Sequence, residues 1–201
     1  MIAEISSISG AVLAGGRSSR FGRDKALEVW KGKTLLEHAL ASLEGCDGLF
    51  IVGGTGERYG FTHATIYPDL EPFQGSLSGL ARALELAQLD RVAVMACDMP
   101  GLTREFWEFM TNLGPAQVVI PENAAGFLEP LAAIYSRSCL PAIQNALENN
   151  QLRMTGWHAG LEVRVLPWAE LESRFGPKIF WNVNSQADLE QADLEQADPE
   201  G

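Results

Sequence analysis

The chain has 201 residues, 46% of them hydrophobic, and a formal net charge of −11, which suits one sizeable core rather than two domains. Six of the 26 acidic residues follow Asn184, leaving the body near −5; bulk charge of this sign excludes a nucleic-acid polymer as ligand and leaves room for a small phosphorylated one only where cations cluster. Cys46, Cys97 and Cys139 suggest neither a disulfide framework nor a CxxC metal pair, and no basic region leads into an apolar run of spanning length, so a cytoplasmic protein is expected.

In chain order, Ile8 to Leu13 is an apolar run of strand length that stops at Ala14-Gly15-Gly16, as buried parallel strands often do. Glycines let backbone approach a ligand and expose successive N–H groups to an anion. Arg17, Arg20, Arg23 and Lys25 follow within nine residues, offering forked and point-charge grips on phosphate. A solvated basic turn before a helix would look the same at this stage. Thr34 to Leu43 has the spacing of a helix packed on a sheet, and Leu49 to Val52 reads as a second strand. Two decoys lie nearby. Gly54-Thr55-Gly56-Glu57-Arg58-Tyr59-Gly60 has one residue too many for a dinucleotide fingerprint, and Gly32-Lys33-Thr34 lacks the first P-loop glycine because Leu27 stands there.

His63 to Tyr67 is expected as a strand, the Pro68 to Gly75 stretch as a loop, and about Ser76 to Gln88 as a helix. Arg91 to Ala96 is the clearest strand, ending at Cys97-Asp98-Met99-Pro100. Thr103 is expected to cap the next helix, with Glu105 in its first turn. Gln117 to Pro121 and Phe127 to Tyr135 read as strands, about Pro141 to Glu148 as a helix, and Val163 to Leu166 and Ile179 to Val183 as short strands. A last helix begins near Ala187 and gives way to a five-residue repeat whose period matches neither helix nor strand. Residues 1–190 are therefore expected as one domain and 191–201 as an acidic tail. The alternation predicts an α/β protein, a three-layer open sheet, mostly parallel, with ligands beyond the carboxyl ends of the strands. Ala14, Asp69 and Asp98 all fall there. A carboxylate at a strand end, such as Asp98, suits Mg²⁺ or simply caps a turn, and Asp69 by itself reads as a turn residue. His38, His63 and His158 show no ligand spacing.

Leu13-Ala14-Gly15-Gly16, Ser18, Arg20, Gly22 and Asp24-Lys25 together resemble LAGGxSxRxGxDK, the opening signature of the MobA-type nucleotidyltransferases, the molybdenum cofactor guanylyltransferases. Phe21 stands where that family commonly has Met. Cys97 to Leu102 is similar to the family's CDMPxL, and Pro68-Asp69 with Gly75-Ser76-Leu77-Ser78-Gly79 is similar to PD...GPLxG, with Ser76 in place of proline. Glu129 to Tyr135 looks like EPLxAxY, Leu152-Arg153-Met154 resembles part of the pterin-side loop, and Asn182-Val183-Asn184 is similar to the start of NxNTPEDL.

The resemblance implies a Rossmann-like nucleotidyltransferase fold and transfer of GMP from GTP to molybdenum-molybdopterin, with Mg²⁺ as cofactor and pyrophosphate released. It implies that Leu13, Ala14, Gly15, Gly16, Lys25, Asp69 and Asp98 bind nucleotide, that Arg20, Lys25 and Asp98 are catalytic, and that Asp98 holds the metal. Arg153, Asn182 and Asn184 fall to the second substrate, although the asparagines can equally cap the last helix. Possible partners in this reading include a nucleotide-binding accessory protein and apo-molybdoenzymes. Two other readings share the loop logic: a sister enzyme using CTP or a sugar phosphate, which Gly16 in place of alanine argues against, and a non-catalytic cofactor carrier.

Overall fold

The computed structural model describes residues 5–14, 24–54, 56–68, 75–185 and 187–189. In chain order they form β1 (Ser9–Leu13), β2 (Val29–Trp30), β3 (Lys33–Thr34), α1 (Leu35–Ser42), β4 (Phe50–Val52), α2 (Gly56–Tyr59) and β5 (Thr65–Tyr67). Then come α3 (Ser76–Leu86), β6 (Arg91–Ala96), α4 (Arg104–Thr111), β7 (Val118–Pro121), β8 (Ala132–Ser136), α5 (Leu140–Glu148), β9 (Val163–Leu166) and α6 (Trp168–Phe175). Among the described residues no helix is long and apolar enough to cross a membrane.

Seven strands make one sheet in the order β5-β4-β1-β6-β8-β7-β9. All its pairings are parallel except those of β8, which runs antiparallel to β6 and β7. β1 is buried along its whole length and β6 over its four central residues, which is why both read as unbroken apolar runs. Side chains alternate across the sheet and define two cores. On one face Val12, Ile51, Met95 and Ile134 pack under α1, α4 and α6 through Leu36, Phe106, Trp107 and Leu171. On the other, Leu13, Val94 and Tyr135 pack under α3 and α5 through Leu80, Leu84 and Ile143. The expected three-layer, mostly parallel architecture is what forms. Full burial of a ring such as Phe106, wholly hidden from solvent, stabilises by about 2–3 kcal/mol.

The chain runs from β1 outward through β4 to β5, then returns to place β6 on the other side of β1. That reversal opens a crevice between the carboxyl ends of β1 and β6, where open α/β sheets bind ligands.

Several elements differ from expectation. A hairpin, β2 with β3, turns through Lys31 and Gly32, both at positive φ (48° and 77°). Such a turn matches the twist of its strands. The strain at Lys31, a non-glycine in the left-handed region, is offset by its ammonium lying 4.6 Å from the Trp30 ring centroid. The expected strand over Phe127 to Tyr135 begins only at Ala132, because Asn123 folds the preceding residues into a turn by accepting from the N–H groups of Ala125 and Phe127. Thr103 sits at the cap of α4 without accepting from the helix. Instead the backbone N–H of Glu105, and then the Thr103 hydroxyl, bond the Glu105 carboxyl and hold it below its usual value. Thr34, by contrast, forms a full capping box with Glu37 at the start of α1.

The Ile179 to Val183 strand does not form. Residues 177–180 are turns and 181–184 have no regular structure, because the backbone there bonds to the turn after β6 rather than to a strand. Its apolar residues still bury: Ile179 and Phe180 join the α4 and α6 core, and Val183 joins Trp30, Leu35 and Leu189 in a small core of its own. The helix α6, preceded by Pro167, was not expected.

Candidate functional site

Lys25 opens a single turn of 3-10 helix (Lys25–Leu27) whose N-cap is Asp24, the Oδ1 atom of which accepts from the N–H of Ala26. Asp98 stands two residues beyond β6, in a turn whose geometry is fixed on both flanks. The N–H of Val183 donates to the Asp98 carbonyl at 2.9 Å. Gly101 lies so close to the carbonyls of Lys178 and Ile179 that a Cβ there would sit 2.5 and 2.9 Å from them. The segment before the last helix is thus clamped onto the turn that carries Asp98.

Lys25 and Asp98 meet at the crevice. The Lys25 ammonium donates to Asp98 Oδ2 at 2.7 Å and to Asn184 Oδ1 at 3.2 Å. The two ionic side chains are 16% and 23% exposed, sheltered enough that the pair is screened less than a surface pair, yet still reached by solvent. Asp98 Oδ1 is buried and has no hydrogen-bond partner, an arrangement that is costly for a carboxylate oxygen unless a cation uses it. Among the described residues no three His, Cys, Asp or Glu side chains gather as a metal cage. A single hard carboxylate with one orphaned oxygen fits an ion such as Mg²⁺, which takes its remaining ligands from phosphates and water.

Two further acids surround the pair. Glu129 accepts from Asn123 Nδ2 at 2.7 Å. Burial, with a smaller contribution from the Asp98 charge, raises its carboxyl above the usual range despite that bond. Asp24 accepts from the Tyr59 hydroxyl at 2.8 Å and from Arg58 at 3.1 Å, both through Oδ2. Cys97, between β6 and Asp98, is no nucleophile: burial pushes its thiol up to about 12, so the reactive thiolate is not present near neutrality. All three cysteines are free.

The residues singled out from sequence fare as follows. Leu13 is buried at the end of β1. The N–H of Ala14 is committed to the Val52 carbonyl at 2.9 Å, so it roots the glycine stretch rather than pointing a donor at an anion. Lys25, Asp98 and Asn184 come together. Asn182 turns back to the Phe180 carbonyl at 3.1 Å. Neither asparagine caps the last helix; Ser185 and Asp188 do, with Asp188 Oδ2 accepting from the N–H groups of Asn184 and Ser185 and the Ser185 hydroxyl accepting from the N–H of Asp188. Arg153 is exposed, and only its carbonyl, bonded to the N–H of Gly156, takes part in a described hydrogen bond. Gly15, Gly16, Arg20 and Asp69 lie outside the described residues, as does the repeat after residue 190. Sequence reasoning missed Tyr59, which it met only inside a rejected fingerprint. The one available signal was Gly54, where a Cβ would overlap the Tyr59 ring.

Residues 10–159 match the MobA-like NTP transferase domain family. A protein of Desulfosudis oleivorans named molybdenum cofactor guanylyltransferase is 33% identical, over 92% of this chain and 93% of its own. One of Deinococcus radiodurans, named probable molybdenum cofactor guanylyltransferase, is 34% identical over the same shares. Among solved structures, molybdopterin-guanine dinucleotide biosynthesis protein A from Archaeoglobus fulgidus superposes with a TM-score of 0.79 at 24% identity, covering 94% of this chain and 99% of that one. The fold also extends to 2-C-methyl-D-erythritol 4-phosphate cytidylyltransferase from Thermus thermophilus, with a TM-score of 0.68 at 17% identity, covering 95% and 99%.

Proposed function

This chain belongs to the MobA-like NTP transferase family, and on that premise we propose that it transfers GMP from GTP to the terminal phosphate of molybdenum-bearing molybdopterin, releasing pyrophosphate. The observation that carries the reading is the 2.7 Å contact of Lys25 with Asp98 across the mouth of the crevice between β1 and β6. A cation suited to phosphate, from the turn before β2, thereby stands beside a carboxylate suited to a metal, from the turn after β6.

In this reading an oxygen of the pterin phosphate forms a bond to the α-phosphorus of GTP, and the bond from that phosphorus to the β-phosphate bridging oxygen breaks. The nucleophile is already an anion, so no strong base is required. The protein's part is positioning and charge neutralisation. Lys25 and Arg20 hold the phosphates that leave, Asp69 assists nucleotide binding, and Asn184 orients the Lys25 ammonium. Asp98, through its orphaned Oδ1, would hold Mg²⁺. That ion, when bound, supplies neutralising charge and a template for phosphate oxygens. The paired Gly15-Gly16 goes with guanine in the family motif, which favours GTP over CTP. Arg153 and Asn182 remain the residues assigned to the pterin. A cytoplasmic location belongs to the same reading, supported by the free cysteines.

Calorimetric titration tests the nucleotide half of this proposal. GTP should bind in the micromolar range with Mg²⁺ and at least about ten-fold more weakly with a chelator, a difference of about 1.4 kcal/mol, while CTP and ATP bind more weakly than GTP. Preference for CTP would move the chain to the sister branch of the fold, and chelator-independent binding would remove the metal from the scheme.

A further inference from the structure

The residues given no role so far include a buried phenol at the root of the glycine-rich stretch. Ala14 and Asp24 flank residues 15–23, and the Tyr59 hydroxyl reaches both, at 3.3 Å from the Ala14 carbonyl and 2.8 Å from Asp24 Oδ2. A phenol has one proton to give, and the shorter, charge-assisted bond to Asp24 is the stronger of the two. We infer that Tyr59 is a positioning residue for Lys25, acting through Asp24.

The geometry forms a chain of fixed contacts. The Tyr59 ring is wholly buried and rests against Gly54, whose φ of 73° and missing side chain make room for it just past the end of β4. The Gly53 N–H donates to the Tyr67 carbonyl at 2.8 Å, which ties this corner to β5. From that anchor the hydroxyl holds one oxygen of Asp24, with Arg58 on the same oxygen at 3.1 Å. The other oxygen caps the turn that Lys25 begins, and the Asp24 carbonyl accepts from the N–H of Leu27 at 3.1 Å. Asp24 is therefore gripped on one side by α2 while it shapes the Lys25 turn on the other. Burial and the neighbouring Asp24 charge keep the phenol protonated, so the donor persists at any physiological pH.

The inference rests on the nucleotidyltransfer reading for its kinetic test but not for its structural one. Tyr59→Phe keeps the ring under Gly54 and removes only the hydroxyl. With GTP and molybdopterin as substrates, kcat should fall about ten-fold while KM for GTP changes less than about three-fold, since a misaimed Lys25 fails chiefly in the transition state. In an Asp24→Ala background the same substitution should change nothing further, because its path to Lys25 is already cut. A merely structural phenol would lower the melting temperature and leave kcat intact; that result, or additive effects in the double variant, would overturn the inference. Should the wild-type protein transfer no GMP, the functional reading fails separately, and the inference is then decided by hydrogen exchange in the nucleotide-free protein. The Leu27 and Glu28 amides, bonded to the Asp24 and Lys25 carbonyls, should exchange at least ten-fold faster in Tyr59→Phe than in the wild type, and unchanged exchange would overturn it.

Discussion

Asp98→Asn should lower kcat for GTP-dependent transfer by about 10³-fold while the protein stays folded. Removing one preorganised electrostatic group from a transfer site costs about 10²–10³ in rate, and Asp98 serves twice, as partner of Lys25 and as a carboxylate whose buried Oδ1 has no hydrogen-bond partner. Asparagine keeps the size of the side chain and an oxygen for Lys25 but loses the charge a cation needs. The structural penalty should be small. Lys25 retains Asn184 at 3.2 Å, and the pair is partly open to water, so the loss in stability should stay near 1 kcal/mol. Steady-state kinetics alongside a urea melt separates the two. A variant with intact turnover would remove Asp98 from the chemistry, whereas a variant that fails to fold would show that the pair is structural.

Gly101→Ala should damage the site with a single added methyl, by a different route. Its φ is not in the left-handed region, so the conflict is purely spatial: the new Cβ would stand 2.5 Å from the Lys178 carbonyl and 2.9 Å from that of Ile179. Backbone cannot rotate away as a side-chain tip can, so the 178–184 segment must lift. Overpacking of this kind costs about 1–3 kcal/mol, or a fall of very roughly 2–12 °C in melting temperature for a chain of this size. Lifting the segment also weakens the Val183 bond to Asp98 and withdraws Asn184 from Lys25, so turnover should fall with it. Gly156→Ala is the matched control, since its Cβ would meet only Arg153, at an ordinary 3.5 Å. Equal melting temperatures for the two variants would show that the clamp does not hold the site.

The contrast between these residues explains what could be read beforehand. The end of β1 and the Asp98 turn are local events, an apolar run halted by glycine or by a carboxylate before proline, and local patterns survive in a bare sequence. The closure of the site is not local. Asn184 lies 159 residues from Lys25, and nothing in Asn182-Val183-Asn184 separates a helix cap from a ligand of a distant lysine. Ser185 and Asp188 make the better cap, which frees Asn184 for the other role. The apolar character of Ile179 to Val183 correctly marks burial but not a strand, because burial there is against side chains and a turn rather than a ladder. Trp168, Leu171 and Phe175 of α6 have helical spacing, but eight residues after a proline give too short a stretch to announce it. Tyr59 was hidden for the same reason as Asn184: its partner Asp24 is 35 residues earlier in the chain.

The most direct test of guanylyl transfer follows two products from one incubation. GTP labelled at the α-phosphate is mixed with molybdenum-bearing molybdopterin, Mg²⁺ and the protein; label appearing in a pterin dinucleotide is measured against pyrophosphate released. Equal amounts of both, absent when CTP replaces GTP and lost in Asp98→Asn, are the predicted result. GTP that binds and returns intact, with no pyrophosphate formed, would contradict it and leave a carrier in place of an enzyme.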